Sequence, residues 1–154
     1  MLNEELKVTG DVSFVLRDKT GKIIETKEIK NLVVTTGLNF IAARLKGATP
    51  AATEMTHMAV GTGTVAAALG NTTLGTELAR VALTTAGGTV GASPATIQYA
   101  CTFGAGSPSG TNALTEAGVF SAASAGTMMC RTVFSAINKA PGDSLTITWT
   151  ITIS

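Results

Sequence analysis

Residues 114–134 read LTEAGVFSAASAGTMMCRTVF, two apolar runs of strand length separated by small residues. Leu114–Phe120 and Met128–Phe134 predict two β-strands, with Ser121–Thr127 as the loop of a hairpin. Each strand contains one charge, Glu116 in the first and Arg131 in the second. Alternate residues of a strand share a face, which groups Glu116 with Leu114 and Phe120, and Arg131 with Met129 and Val133. If those faces point inward both charges are buried, and a buried charge is tolerated when it is paired and hydrogen-bonded. The hairpin therefore predicts a structural Glu116–Arg131 ion pair, not a catalytic one.

Working outward, the C-terminal stretch alternates most cleanly. Leu145, Ile147, Trp149, Ile151 and Ile153 occupy one face, and Thr146, Thr148, Thr150 and Thr152 the other. At the other end, Asp11–Arg17 and Lys22–Lys30 flank the turn Asp18–Gly21 and predict a charged hairpin spanning 11–30, preceded by a polar arm over 1–10. Met55–Val60, Glu77–Thr84 and Thr96–Phe103 read as further strands, with 84–95 as a long flexible connection reaching Pro94 and a loop through Pro50 before Met55. One helix is expected over 37–46, capped by Thr36 or Thr35, with Leu38, Ile41, Ala42 and Leu45 as its apolar stripe and Gly47 ending it. About eight strands and one helix predict one mainly β domain over 1–154: an antiparallel β-sandwich, jelly-roll-like, with the short helix packed on the sheet.

Composition narrows the functional classes. Of the 154 residues 45% are hydrophobic, yet 5% are aromatic and 14% charged, against about 25% charged in ordinary soluble domains. A net charge of +1 provides no field for nucleic acid or a membrane surface. With a surface this poor in charge, either the molecule is unusually bland or much of its outside is covered by copies of itself or by a partner. The start, MLNEELKVTG, lacks the apolar stretch of a secretory signal, so synthesis in the cytosol is expected. Cys101 and Cys130 fall in predicted strands and read as reduced, buried side chains, with a single disulfide between neighbouring strands as the alternative.

Reactive constellations are sparse. Gly61-Thr62-Gly63-Thr64-Val65-Ala66 fits the form of a dinucleotide-binding turn, but Gly70, Thr72, Thr73 and Gly75 break the helix that must follow. His57 is the sole histidine, no G-x-S-x-G is present, and the cysteines, histidine and acids lack metal-ligand spacing. Glu77 and Arg80 fall on opposite faces of a continuous strand and meet only if the chain turns there. Glu77 with Glu116 is the pair of carboxylates a glycosidase would need, without an aromatic platform for sugar. No catalytic, metal or cofactor residues are assigned. The exposed positions expected to make contacts are Gly61, Thr62, Gly63, Thr64, Asn71 and Thr72.

The order TGLNFIAARL, THMAVGTGT, TLGTELAR, LTEAGVFSAASAGTMMCRTVF and NKAPGDSLTITWTITIS, over roughly residues 31–154, resembles a family of small tailed-bacteriophage virion proteins. Members are described as tail-fibre or minor structural proteins, and related β-sandwich proteins decorate heads. The resemblance implies a non-enzymatic virion component acting as a trimer or similar homo-oligomer, with other virion proteins such as the major capsid protein as partners. A head decoration (cement) protein or exterior appendage is the first expectation. A tail-fibre or tail-tip module binding a host surface glycan through 62–76 and 104–112 is the second.

Overall fold

The computed structural model describes residues 5–47, 53–91 and 95–154. Residues 1–4 of the expected arm, the expected turn through Pro50 and the Pro94 end of the 84–95 connection lie outside them. Within the described residues the chain is mainly β and antiparallel, with one helix. The strands are β1 (Val8–Arg17), β2 (Ile23–Val33), β3 (His57–Gly61), β4 (Glu77–Ala82), β5 (Thr89–Gly91), β6 (Thr96–Phe103), β7 (Asn112–Phe120), β8 (Met128–Lys139) and β9 (Ser144–Ile153). The helix α1 is Thr35–Lys46.

Instead of two separate sheets, the strands form one sheet of nine in the order β4-β3-β7-β8-β2-β1-β9-β6-β5, curled into a half-barrel. The two halves share β2. Its residues Ile23–Asn31 pair with β1, whereas Leu32 and Val33 cross over to pair with Arg131 and Cys130 of β8. Curling brings both halves around one core, in which Val12, Phe14, Ile147 and Trp149 meet Met58, Val60, Val119 and Cys130. The apolar face read on β9 is the face that is buried, from Leu145 to Ile151. Cys101 and Cys130 are free and buried, and burial pushes the Cys101 thiol up to about 12.

Three local expectations need correction. The arm expected over 1–10 is already strand from Val8, because Lys7 and Ser154 exchange backbone hydrogen bonds of 2.6 and 3.0 Å at the end of the β1–β9 ladder. Inside the connection expected over 84–95, Thr89–Gly91 forms β5 against β6. The helix starts at Thr35 and its N-cap is Val34, with no side-chain cap; the Thr36 hydroxyl is spent on the Met128 carbonyl, 2.6 Å away. Of its expected apolar stripe only Ile41 packs on the core: Ala42 is exposed, Leu38 is 42% and Leu45 79% exposed. The helix instead sits down through Gly37, its sole buried residue, with Phe40 and Ile41 packed against the core.

Gly37 decides that orientation. A Cβ there would overlap the main-chain oxygen of Met129, so the backbone of α1 lies directly on β8. Alanine at this position gains about 1 kcal/mol of helix propensity, but the overlap pushes the helix off the sheet. Gly37→Ala is expected to lower stability by about 2 kcal/mol net, read by urea denaturation. A gain in stability would disprove the close approach.

Candidate functional site

The site grows from the hairpin of β7 and β8. Two irregularities shift its alternation: Thr115 alone faces residues 134–136 of β8 between Leu114↔Ile137 and Glu116↔Val133, and Met129 has no partner between Phe120↔Met128 and Val119↔Cys130. A bulge moves the following residues to the opposite face. Leu114 therefore enters the main core together with Ala117 and Val119, while Glu116 does not. Glu116, Gly118, Phe120 and Arg131 lie on the outer face, which is nonetheless buried because residues 62–76 fold over it as a roof. A small second core of Val34, Ala59, Leu74, Phe120 and Met128 forms beneath that roof. The grouping of Glu116 with Leu114 is thus undone by the bulge, and burial comes from the opposite side of the sheet.

Gly118 stands directly opposite Arg131, so Glu116 and Arg131 are diagonal neighbours on one face. Their side chains meet at 2.8 Å with Glu116 wholly buried and Arg131 nearly so. The carboxylate also accepts hydrogen bonds from the N–H groups of Gly63 (2.9 Å), Gly75 (2.8 Å) and Thr76 (2.7 Å). Arg131 donates to the carbonyl of Val65 (3.0 Å) and to Asn71 Oδ1 (3.0 Å), and more distantly to Ala66 O (3.5 Å). Thr115, at the first irregularity, donates to Gly63 O in the same loop at 2.9 Å. Thr62 N–H closes the neck of the loop on Thr76 O at 3.0 Å.

This arrangement explains the Gly-Thr-Gly motif. A Cβ on Gly63 would lie 2.5–2.7 Å from the Glu116 carboxylate, so only glycine allows the approach. Such glycine-rich turns offer backbone N–H groups to an anion. Here the anion is the protein's own Glu116. Burial by itself raises the Glu116 pKa, but hydrogen bonds from Thr76 and Gly75, from Arg131 and from Gly63 outweigh it and hold the carboxyl below its ordinary value.

The residues expected to form contact positions separate into two sets. Gly61 is buried, and Thr62, Gly63 and Asn71 are partly buried and bonded into the roof; Thr64 and Thr72 are exposed. The roof's prominent exposed side chains are Val65 (79%) and Leu69 (55%), which the sequence reading did not single out. Their signal was the absence of any charge between Ala59 and Thr76.

Elsewhere the chemically suggestive groups have structural partners. Glu77 and Arg80 do meet, in a two-pronged pair of 2.9 and 2.7 Å, because the β3–β4 register shifts between Ala79 and Glu77 and carries Glu77 onto the face of Arg80. Arg80 further lies 3.7 Å from the Phe120 ring centre and donates to Ala122 O and Ala125 O. Glu77 and Glu116 are each held by their own arginine. His57 bonds the Thr56 hydroxyl at 2.8 Å. Lys139, unremarked in the sequence, is buried and donates to Gly104 O at 3.0 Å; desolvation lowers its pKa against the opposing pull of Asp143. Among the described residues, no three His, Cys, Asp or Glu side chains gather as metal ligands, and no helix is long and apolar enough to cross a membrane. Compared with protein-family models, curated proteins and solved structures, the chain matches none.

Glu116→Gln leaves Arg131 an unpaired buried cation and is expected to cost about 3 kcal/mol in urea denaturation. Many buried pairs can be exchanged for apolar residues without loss. This one cannot, because the loop's N–H and carbonyl groups would be orphaned. Glu116→Leu with Arg131→Met is therefore expected to be no more stable than Glu116→Gln, and recovery to wild type would refute the roof-anchoring role.

The depressed Glu116 pKa also fixes the sign of the acid response. Its contribution is complete above the unfolded carboxyl pKa of about 4.3 and drains away as pH falls towards the lower folded value. Stability should decline below about pH 4, with a shallower decline in Glu116→Gln. Equal slopes for the two proteins would remove Glu116 from that titration.

Proposed function

We propose that this chain is a non-enzymatic structural component of a tailed-phage virion, a homo-oligomeric protein decorating and stabilising the head. The observation that carries this reading is the uncharged 62–76 roof, held in one conformation by a buried ion pair while presenting Val65 and Leu69 to the outside. An anchored loop loses little conformational entropy when a neighbour packs on it, which is the economy a subunit contact requires. The large charged groups engaged around it, Glu116, Arg131, Glu77 and Arg80, all serve loop anchoring.

The β1–β2 hairpin supplies the contrasting surface. Lys19, Lys22, Glu28 and Lys30 are exposed along it, and Lys30 pairs with Asp11 at the surface. In this proposal the hairpin contacts the major capsid protein, and the uncharged loops pack between copies. The curled sheet then acts as a jelly-roll-like sandwich, its two halves joined at β2. Binding across neighbouring capsid subunits favours the assembled shell by mass action.

The test is to add the purified full-length chain to heads that lack it, followed by sedimentation, imaging and heating. The expected result is regular occupancy of the shell and greater resistance to heat. Absence of binding to heads overturns the reading. Attachment to host cells that free cell-wall sugar competes away would instead establish the tail-tip, glycan-binding role.

A further inference from the structure

Among the described residues, the sheet contains a fork that leaves the end of β1 without a neighbour on the side away from β9. The β1–β2 ladder ends at Gly10↔Asn31, where β2 departs towards β8, while β1 continues beside β9 as far as Val8. Lys7 then exchanges both backbone hydrogen bonds with Ser154 on the β9 side. In an antiparallel ladder successive residues turn their N–H and C=O groups to opposite sides. The main-chain groups of Leu6 and Val8 therefore face the fork. A groove of about 420 Å³ opens there, walled by Leu6, Val8, Leu32, Leu38 and Leu69. At its base the buried Asn31 amide finds no hydrogen-bond partner among the described residues.

This groove is an exposed sheet edge with apolar walls, a form that invites another strand. Leu6 is 67% and Leu69 55% exposed, and Glu5 and Lys7 flank Leu6 on the opposite face of the strand. Glu5-Leu6-Lys7 is self-complementary in charge. When two copies run antiparallel with Leu6 opposite Leu6, Glu5 of each falls opposite Lys7 of the other.

We infer that two copies of this chain associate by pairing Glu5–Lys7 antiparallel about a two-fold axis through Leu6, joining their sheets at β1. The Leu6 residues exchange both backbone hydrogen bonds. The Leu38 and Leu69 walls of both copies close over them, and two Glu5–Lys7 pairs lie on the other face. A two-fold axis uses the same patch twice, as an isologous contact must. The contact does not depend on the virion reading and goes beyond it.

Sedimentation velocity of the full-length chain over a range of concentrations tests it. Wild type is expected to dimerise and Leu6→Asp to remain monomeric, its thermal melt matching that of wild type at dilutions where wild type is also monomeric, since Leu6 is exposed in one copy. Glu5→Lys or Lys7→Glu each creates two like-charge pairs and is expected to weaken dimerisation about tenfold. The double variant Glu5→Lys/Lys7→Glu restores both pairs and should return to within about threefold of wild type. A wild-type monomer at every concentration overturns the proposal. So does assembly that survives Leu6→Asp, or a double variant no better than the single ones.

Discussion

A carboxylate and a guanidinium buried side by side are costly to desolvate, and such pairs often add little net stability. Glu116 and Arg131 nevertheless govern much of this structure, because their remaining hydrogen-bonding capacity is directed at one loop. The carboxylate takes three backbone N–H groups from residues 63–76, and the guanidinium reaches Val65 O and Asn71 Oδ1. A connection composed of Gly, Thr and Ala has little apolar volume with which to hold itself down. The ion pair supplies directional anchors in place of a packed core. The loop in turn excludes water from the pair, and each is the condition for the other.

The bulges make this exchange possible. In a regular hairpin Glu116 would share the face of Leu114, and a charge would be driven into the apolar interior. The irregularity where Thr115 faces residues 134–136 of β8 lets Leu114 serve the main core and Glu116 the roof, and the Thr115 hydroxyl adds a further tie to Gly63. A similar shift in β4 brings Glu77 and Arg80 onto one face. Arg80 then extends over Phe120 to the carbonyls of Ala122 and Ala125, fastening the β7–β8 turn. Both arginines join a strand to a loop that has few means of its own.

These bulges also mark where the sequence stopped being readable. Period-two patterning over Leu145–Ile153 and Asp11–Arg17 specifies strands whose buried faces are those of the structure. The mainly β, antiparallel class follows from such stretches together with the turn residues. Chemistry alone also paired Glu116 with Arg131, since an apolar hairpin offered each charge few other partners. What periodicity could not supply was phase. A local irregularity in the ladder exchanges inside for outside, and nothing local to Thr115 or Leu78 announces it. The helix misled for a related reason: Leu38 and Leu45 form a proper stripe, but Gly37 permits a closer contact through the backbone itself. The fork at β2 was equally hidden, because leaving one neighbour for another requires no change in composition.

The low charge content acquires a physical meaning from this distribution. From residue 55 onward, Glu77, Arg80, Glu116 and Arg131 are consumed in two ion pairs, and Lys139 and Asp143 are buried. Solvent exposure of charge is accordingly concentrated in the β1–β2 hairpin and α1, while Val65, Leu69, Leu78 and Val90 face outward on the uncharged remainder. Scattered exposed apolar residues are common on monomers. An apolar groove beside unpaired strand edge is different, because both hydrophobic contact and main-chain hydrogen bonds remain available at one place. Charge spent internally on loop anchoring leaves these surfaces free to associate, so the interior chemistry of the fold and its outward readiness for assembly have the same origin.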